Sequence, residues 1–210
     1  MPSTPFAGVL VPVLTPFNRA GDPDSGRFIA FCRFLLDQGA DGLAIFGTTS
    51  EANSMSAGER MELLDRLIAA GIPAAKLMPG AGACSVTEAA AVARHAIGHG
   101  VGGVLMLPPF YYKGMNDDGL FAFFASVIDR VGSAALRIYL YHIPPQTVLG
   151  LSLDLVGRLI KAYPETVVGL KDSSGDWNNT RTFLDAFAKS GFDIFPGIDR
   201  CRHAPVQPDQ

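Results

Sequence analysis

The sequence has no excess of either charge and no long apolar run. It contains 17 lysines and arginines against 20 aspartates and glutamates, a net charge of −3, so no basic field is present to attract nucleic acid or an anionic membrane. No stretch of about 18 apolar residues runs without a charge, a proline or a turn signal, and the N-terminus has no basic leader segment. These absences predict a soluble, cytoplasmic protein that acts on a small molecule.

Cysteine is scarce as well. Cys32, Cys84 and Cys201 lie far apart without C-x-x-C spacing, which argues against a disulfide framework or a cysteine-rich zinc site; Cys32, in an amphipathic pattern, is expected in the core. His95 and His99 have the four-residue spacing of metal ligands, but the pattern offers no third ligand. Histidines in the last turn of a helix also suit its dipole. The sequence therefore predicts no bound metal and no cofactor.

What the sequence does contain is a regular alternation of short apolar runs and longer segments with helical periodicity. The apolar runs are 9–14, 43–46, 76–79, 104–107, 138–141, 167–170 and 193–195. Helical positions in the first intervening segment are Phe28, Phe31, Phe34 and Leu35. Capping-box spacing marks helix starts at Ser56 and Ser85, and helix stops are expected at Gly39, Gly71 and Gly100.

Strand and helix units repeating roughly every 30 residues predict parallel strands joined by right-handed crossovers. Because the runs are almost continuously apolar, both faces of the sheet should be covered, as in an open doubly wound sheet or a barrel. The only partial dinucleotide glycine motif, at 80–85, follows the third run and reads as a turn into a capped helix. We therefore predict an α/β fold of the (β/α)8 TIM-barrel type, truncated after about seven βα units.

In such a barrel the chemistry lies where strands end. Polar stretches follow the runs at 47–51 (GTTSE), 108–113 (PPFYYK), 141–144 (YHIP) and 171–174 (KDSS). Lys171 stands out because an amine among apolar neighbours is a potential nucleophile towards a carbonyl. The alternative is a rim ion pair with Asp172 or Asp176. Tyr141 is either a proton-transfer group or a core aromatic.

Taken together, these four stretches resemble the dihydrodipicolinate synthase and N-acetylneuraminate lyase family of class I lyases. Their order and spacing agree with that family over nearly the whole chain, and the opening VPVLTPF and the loop PGAGACSVTEA are similar to it too. The resemblance implies a lyase, aldolase or synthase in which Lys171 forms a Schiff base with pyruvate or another 2-keto acid, which then reacts with an aldehyde. No cofactor is implied.

The other site residues follow from the same resemblance. It implies that Tyr141 transfers protons and is hydrogen-bonded through Thr48, and that Thr48 and Thr49 bind the keto acid's carboxylate. A tyrosine of PPFYYK would enter a neighbouring subunit's site, which implies a homo-oligomer, either a dimer or a tetramer. Tyr111 is preferred to Tyr112 for this role.

The sequence also departs from that family. Where dihydrodipicolinate synthases have an arginine for the carboxylate of aspartate semialdehyde, this chain has Gln146, which cannot form a bidentate ion pair. Ser50 replaces a loop glycine, and His142 replaces a frequent asparagine and is either a substrate contact or a packed rim histidine. These departures favour an aldolase or dehydratase acting on another 2-keto acid, such as a sugar-derived one.

The C-terminal residues are the largest departure. After 193–197 the family continues with an eighth strand and helices, whereas this sequence has IDRCRHAPVQPDQ, a poor strand. We expect an incomplete catalytic barrel at 1–199 and an irregular tail at 200–210, from a truncated or frame-shifted gene or with a closing element supplied by a partner. The alternative function is then a catalytically impaired remnant that binds a ligand or partner. A phosphosugar aldolase is disfavoured because its phosphate loops are missing.

Overall fold

Strands and helices alternate along residues 6–197, the part of the chain that the computed structural model describes. The strands are β1 (Leu10–Pro12), β2 (Gly42–Ala44), β3 (Val104–Met106), β4 (Ile138–His142), β5 (Val167–Asp172) and β6 (Asp193–Pro196). The helices are α1 (Ser25–Asp37), α2 (Ala57–Ala69), α3 (Val86–Gly98), α4 (Asp117–Val131), α5 (Pro144–Thr147), α6 (Leu153–Ala162) and α7 (Trp177–Phe187).

All strand pairs are parallel. One sheet has the order β1-β2 and the other β3-β4-β5-β6. The segment 77–81 joins the two sheets, because it forms parallel bridges from Leu77 to Leu43 and from Gly80 to Leu105. The result is a curved parallel wall in chain order with helices on its outside, which confirms the predicted incomplete barrel.

The third predicted strand, 76–79, is the main error in the predicted elements. Lys76 ends a short 3-10 helix, and the residues after it form only isolated bridges instead of a regular ladder. Pro79 contributes to this, because proline has no N–H to donate to a ladder. The backbone nevertheless hydrogen-bonds on both sides, with Met78 N donating to Leu43 O and Leu105 N to Pro79 O.

The helix boundaries follow the capping signals. Ser56 and Glu59 form a complete capping box at the start of α2, and Ser85 accepts from the Glu88 N–H at the start of α3. Gly39, Gly71 and Gly100 all have positive φ just after a helix, the conformation in which glycine avoids the strain of a Cβ.

The wall separates two apolar clusters. The larger lies between strands and helices and includes Phe28 and Cys32, both fully buried as predicted. Phe34, another of the predicted apolar positions on α1, does not join this cluster and is 54% exposed. The smaller cluster fills the inner side of the wall and consists of Phe6, Met78, Leu105, Tyr139, Tyr141, Ile143 and Val168. This inner side is the one that carries the candidate site.

Within residues 6–197 the wall is not closed. β1 and β6 are its two edges, and a cavity of about 510 Å³ lies between them, lined by residues of both strands. The predicted tail at 200–210, with Cys201, lies outside the described residues. No helix of the described chain is both long and apolar enough to cross a membrane.

Candidate functional site

Lys171 and Tyr141 lie side by side at the carboxyl ends of neighbouring strands. They are direct partners in the ladder between β4 and β5, and the Lys171 Nζ lies 4.7 Å from the centroid of the Tyr141 ring. An ammonium over an aromatic face is attracted by the ring quadrupole. The parallel register of the strands therefore brings together the two residues that the sequence singled out for Schiff-base chemistry.

The alternative interpretation of Lys171 as part of a rim ion pair is wrong. Among residues 6–197, no carboxylate lies within 4.0 Å of the Lys171 Nζ. Asp172 alternates to the outer face of β5, where it accepts hydrogen bonds from Thr180 Oγ1 at 2.6 Å, Asn179 Nδ2 at 3.1 Å and the Ser174 N–H at 2.9 Å. Asp176 instead caps α7, so neither carboxylate neutralises the lysine.

His142 faces away from this pair. It follows Tyr141 on β4, so it points to the helix side of the wall, where its ring packs 5.5 Å from that of Phe183. Its Nδ1 accepts a hydrogen bond from the Leu151 N–H at 3.0 Å. Burial lowers the pKa of His142, and the nearby Asp172 carboxylate only partly offsets this. The structure thus places His142 as a packed, neutral histidine on the face of β4 opposite to that of Tyr141.

The loop after β2 forms one side of a cleft beside Tyr141. Thr48 and Tyr141 both line a cleft of about 200 Å³, together with Gly80, Gly82 and Leu107. The chain reverses sharply here, with Phe46 at φ 56 and Glu51 at φ 54. Ser50, the replacement for the expected glycine, is fully buried and its hydroxyl donates to the Val13 carbonyl, which fixes the loop against the end of β1.

Not all the predicted hydroxyl contacts are formed. Thr48 and Thr49 are both exposed, and Thr49 does not line the cleft. Within the described residues no hydrogen bond joins Thr48 to the Tyr141 hydroxyl. The exposed Thr48 is therefore available to a ligand in the cleft.

The loop after β3 and the short helix α5 lie next to each other beyond the carboxyl ends of β3 and β4. Tyr111 and Tyr112 are 73% and 60% exposed and pack against each other edge to face. Lys113 ties this loop to α5, because its Nζ donates to the carbonyls of Phe110 and Thr147. Gln146 is exposed on α5. The tyrosines thus project from one rim without a packing partner in this chain's described core.

Two glycines that the sequence interpretation did not assign to the site shape it. A Cβ at Gly80 would lie 1.9 Å from the Phe46 carbonyl oxygen, so only glycine lets segment 77–81 approach the loop after β2. A Cβ at Gly197 would lie 2.9 Å from Lys171 Cε and 2.1 Å from Ser173 Oγ. The signal for Gly197 was its place two residues after the last apolar run.

Lys171 also borders the open edge of the wall. It lines the cavity of about 510 Å³ between β1 and β6, together with Gly8, Pro12, Phe195 and Gly197. The Tyr141 ring thus stands between this cavity and the cleft that contains Thr48. The amine therefore has unoccupied space on the side facing away from the tyrosine.

Comparison with known proteins gives consistent matches. A curated DapA-like lyase of Chloroflexus aurantiacus is 35% identical over 92% of this chain, and a 4-hydroxy-tetrahydrodipicolinate synthase of Rhizobium meliloti is 34% identical over 81%. The chain spans 64% and 56% of these two relatives' lengths.

Solved structures agree in fold. Dihydrodipicolinate synthase from Agrobacterium tumefaciens C58 superposes with a TM-score of 0.85 at 38% identity, over 89% of this chain and 64% of that one. YagE, a prophage protein of the dihydrodipicolinic acid synthase family from Escherichia coli K12 in complex with pyruvate, gives 0.82 at 26% identity, over 92% and 64%. With the family model of the dihydrodipicolinate synthetases matching residues 5–207, this chain belongs to the dihydrodipicolinate synthetase family.

Proposed function

We propose that this protein is a Schiff-base lyase acting on pyruvate or a related 2-keto acid. The observation that carries the proposal is the placement of Lys171 against the Tyr141 ring, with no carboxylate among the described residues near its Nζ and with open space beside it. A lysine without an ion pair at a strand's carboxyl end is available for nucleophilic attack. The pyruvate in the YagE structure supports the substrate class.

The chemistry follows from this pair. After the Lys171 ammonium loses a proton, its amine attacks the C2 carbonyl of the keto acid, and loss of water with uptake of one proton gives a protonated imine. That imine accepts the electron pair released when C3 loses a proton or when the C3–C4 bond breaks, and the product is an enamine. Tyr141, adjacent to the lysine, is the group that moves protons between substrate and solvent.

Thr48 and Thr49 are proposed to hold the keto acid's carboxylate. Thr48 lines the cleft beside Tyr141, and both side chains are exposed on a sharply turned loop whose backbone N–H groups are additional donors. Gln146 on α5 is neutral, so it fits a hydroxylated aldehyde better than a carboxylate-bearing one. We therefore propose a neutral, sugar-derived aldehyde as the second substrate or product.

Tyr111 is proposed to complete the site of a neighbouring subunit. It is a large aromatic residue that is 73% exposed on a loop held in place by Lys113. Aromatic side chains with a polar tip are common interface anchors. This proposal implies a homo-oligomer of two or four chains, and Tyr112 is the alternative contributor.

A second candidate function is ligand binding without turnover. It is favoured by the cavity between β1 and β6, because Lys171 lines this cavity beside the two strands that are the edges of the wall in the described chain. Lys171 would then condense with a keto acid, but water entering from this cavity would disturb proton transfer. The two candidates share imine formation and differ in the proton-transfer and bond-breaking steps after it.

Borohydride trapping tests the proposal. The full chain is incubated with pyruvate, reduced, digested and analysed by mass spectrometry. We expect one reduced pyruvyl adduct on Lys171, and none in Lys171→Arg, because a guanidinium does not form the imine. Lys161→Arg, an exposed lysine on α6, is the control and should label like the parent. Absence of an adduct on folded protein would contradict both candidates.

A further inference from the structure

The outer surface carries a second cluster of reactive side chains, away from the site of Lys171. Asp65 on α2 meets His95 on α3 and His99 at the C-terminal end of α3. Asp65 Oδ1 lies 2.7 Å from the Nε2 of His95 and 2.7 Å from the Nε2 of His99. The sequence showed the two histidines at ligand spacing, and packing of α2 against α3 supplies the third group that the spacing lacked.

We propose that Asp65, His95 and His99 form a binding site for a divalent transition-metal ion of the Zn²⁺ class. Their ligand atoms all lie within 4.8 Å of one another. Tetrahedral Zn²⁺ with bonds of roughly 2.0–2.1 Å needs ligand atoms about 3.3 Å apart. Small side-chain rotations that lengthen the two hydrogen bonds therefore create the space for the ion.

The donor set selects the kind of metal. Two imidazole nitrogens and one carboxylate oxygen suit Zn²⁺, Ni²⁺ and Cu²⁺, whereas Mg²⁺ prefers oxygen ligands alone. The histidine side chains are 29% and 30% exposed and that of Asp65 is 50% exposed. Solvent can therefore reach the site, and water completes the coordination.

The geometry of the histidine rings is compatible with metal binding. Each Nε2 lies at hydrogen-bonding distance from Asp65 Oδ1, and which atom donates depends on the tautomer of the ring. Within the described chain neither Nδ1 has a hydrogen-bond partner, so the proton can move to Nδ1 through solvent and the Nε2 lone pair becomes free for the ion. No oxidant, reductant or other reactant is needed.

A metal here would act as a clamp between two βα units. α3 follows segment 77–81, the part of the wall that is held by isolated bridges instead of a regular ladder. An ion bound only by the folded state stabilises that state by mass action. We therefore expect metal binding to strengthen the part of the wall with the weakest strand pairing.

Isothermal titration of the full chain with Zn²⁺, in the presence of a phosphine reductant, tests the site. We expect one ion per chain and a melting temperature that rises with Zn²⁺ and saturates, while Mg²⁺ has no effect. His95→Ala, His99→Ala and Asp65→Asn should each weaken binding at least as much as the roughly 10- to 100-fold loss typical of removing a supporting contact. NMR of the unaltered protein should show the Nε2 resonances of both histidines shifting with Zn²⁺.

Two control variants make the result specific. Asp185→Asn removes an exposed helical carboxylate on α7 that pairs with Arg181, and Cys201→Ser with His203→Ala removes potential ligands near the C-terminus. Both should bind Zn²⁺ like the parent. Binding that is unchanged in the three site variants, or Nε2 resonances that do not respond to Zn²⁺, would overturn the proposal. Asp65 would then only form hydrogen bonds that join α2 to α3.

Discussion

Two tyrosines on the same strand and the same inner face illustrate how differently the two ends of the wall are built. Tyr139, towards the amino end of β4, is fully buried and its hydroxyl donates to Asp193 Oδ2 at 3.3 Å. Burial raises the pKa of both Tyr139 and Asp193. Tyr141, at the carboxyl end, lies beside Lys171 and a solvent-accessible cleft.

The difference shows that position along the strand decides the role. At the amino end, Gly103 and Gly169 both contact the Tyr139 ring, where a Cβ would come within 2.8 and 2.5 Å of it. The phenol fills the interior and its one polar atom has a partner. At the carboxyl end the loops open a cleft instead. Tyr139 supports the structure, whereas Tyr141 is the residue that we propose to take part in the chemistry.

The largest expected effect is that of Tyr141→Phe. If Tyr141 transfers protons, exchange of the C3 protons of pyruvate with deuterium should fall by roughly 10²- to 10⁴-fold, the usual contribution of a general acid–base group. Proton NMR of pyruvate in D₂O measures this without a second substrate. Tyr139→Phe should leave the exchange rate within a few-fold of that of the unaltered protein. Equal losses in both variants would remove the distinction between the two ends of the wall.

Gly197→Ala tests how closely Lys171 must be positioned. The added Cβ would press against Lys171 Cε, and a displacement of about 1 Å can cost on the order of 10²-fold in rate. We expect slower formation of the borohydride-trapped adduct, together with some loss of stability because the same Cβ would clash with the buried Ser173. Gly98→Ala in α3, where the Cβ meets nothing within 4 Å, is the matched control and should not slow the adduct.

Tyr139→Phe should lower the free energy of unfolding. The variant leaves the half-buried Asp193 without its phenol donor, which costs about 1–3 kcal/mol in the free energy of unfolding. Urea denaturation at neutral pH measures this loss. Because the hydrogen bond stabilises the ionised form of Asp193, the loss should shrink as the pH falls and the carboxylate is protonated. A loss independent of pH would mean that the phenol acts by packing alone.

His142 extends the comparison to the outer face and gives the smallest effect. Burial lowers its pKa in the folded state below the ordinary value of about 6.5. The unfolded chain therefore binds a proton first as the pH falls, and folding stability should decrease below about pH 6.5 until the folded pKa is passed. His142→Asn should reduce this dependence in urea titrations between neutral and mildly acidic pH. An unchanged slope would show that other groups cause it.

Much of the architecture could be predicted because its signals are local. The capping serines, the glycine stops and the apolar runs each depend on a few consecutive residues. Six of the seven predicted apolar runs overlap with a strand of the described structure. The run at 76–79 forms only isolated bridges because Pro79 cannot donate to a ladder, although the position of the run in the wall was predicted correctly. The missed positions, Phe34 and Gly197, depend on what lies opposite them in space.

The sequence by itself determined the order of the βα units, and it placed Lys171, Tyr141 and Thr48 at the carboxyl ends of strands, since parallel strands bring these ends to one rim. Only the tertiary structure decided that Lys171 contacts Tyr141 instead of a carboxylate, that His142 points outwards, and that Asp65 joins His95 and His99. Periodicity sets which residues share a face within one element. Distances between elements depend on strand register and helix packing, which no local pattern encodes.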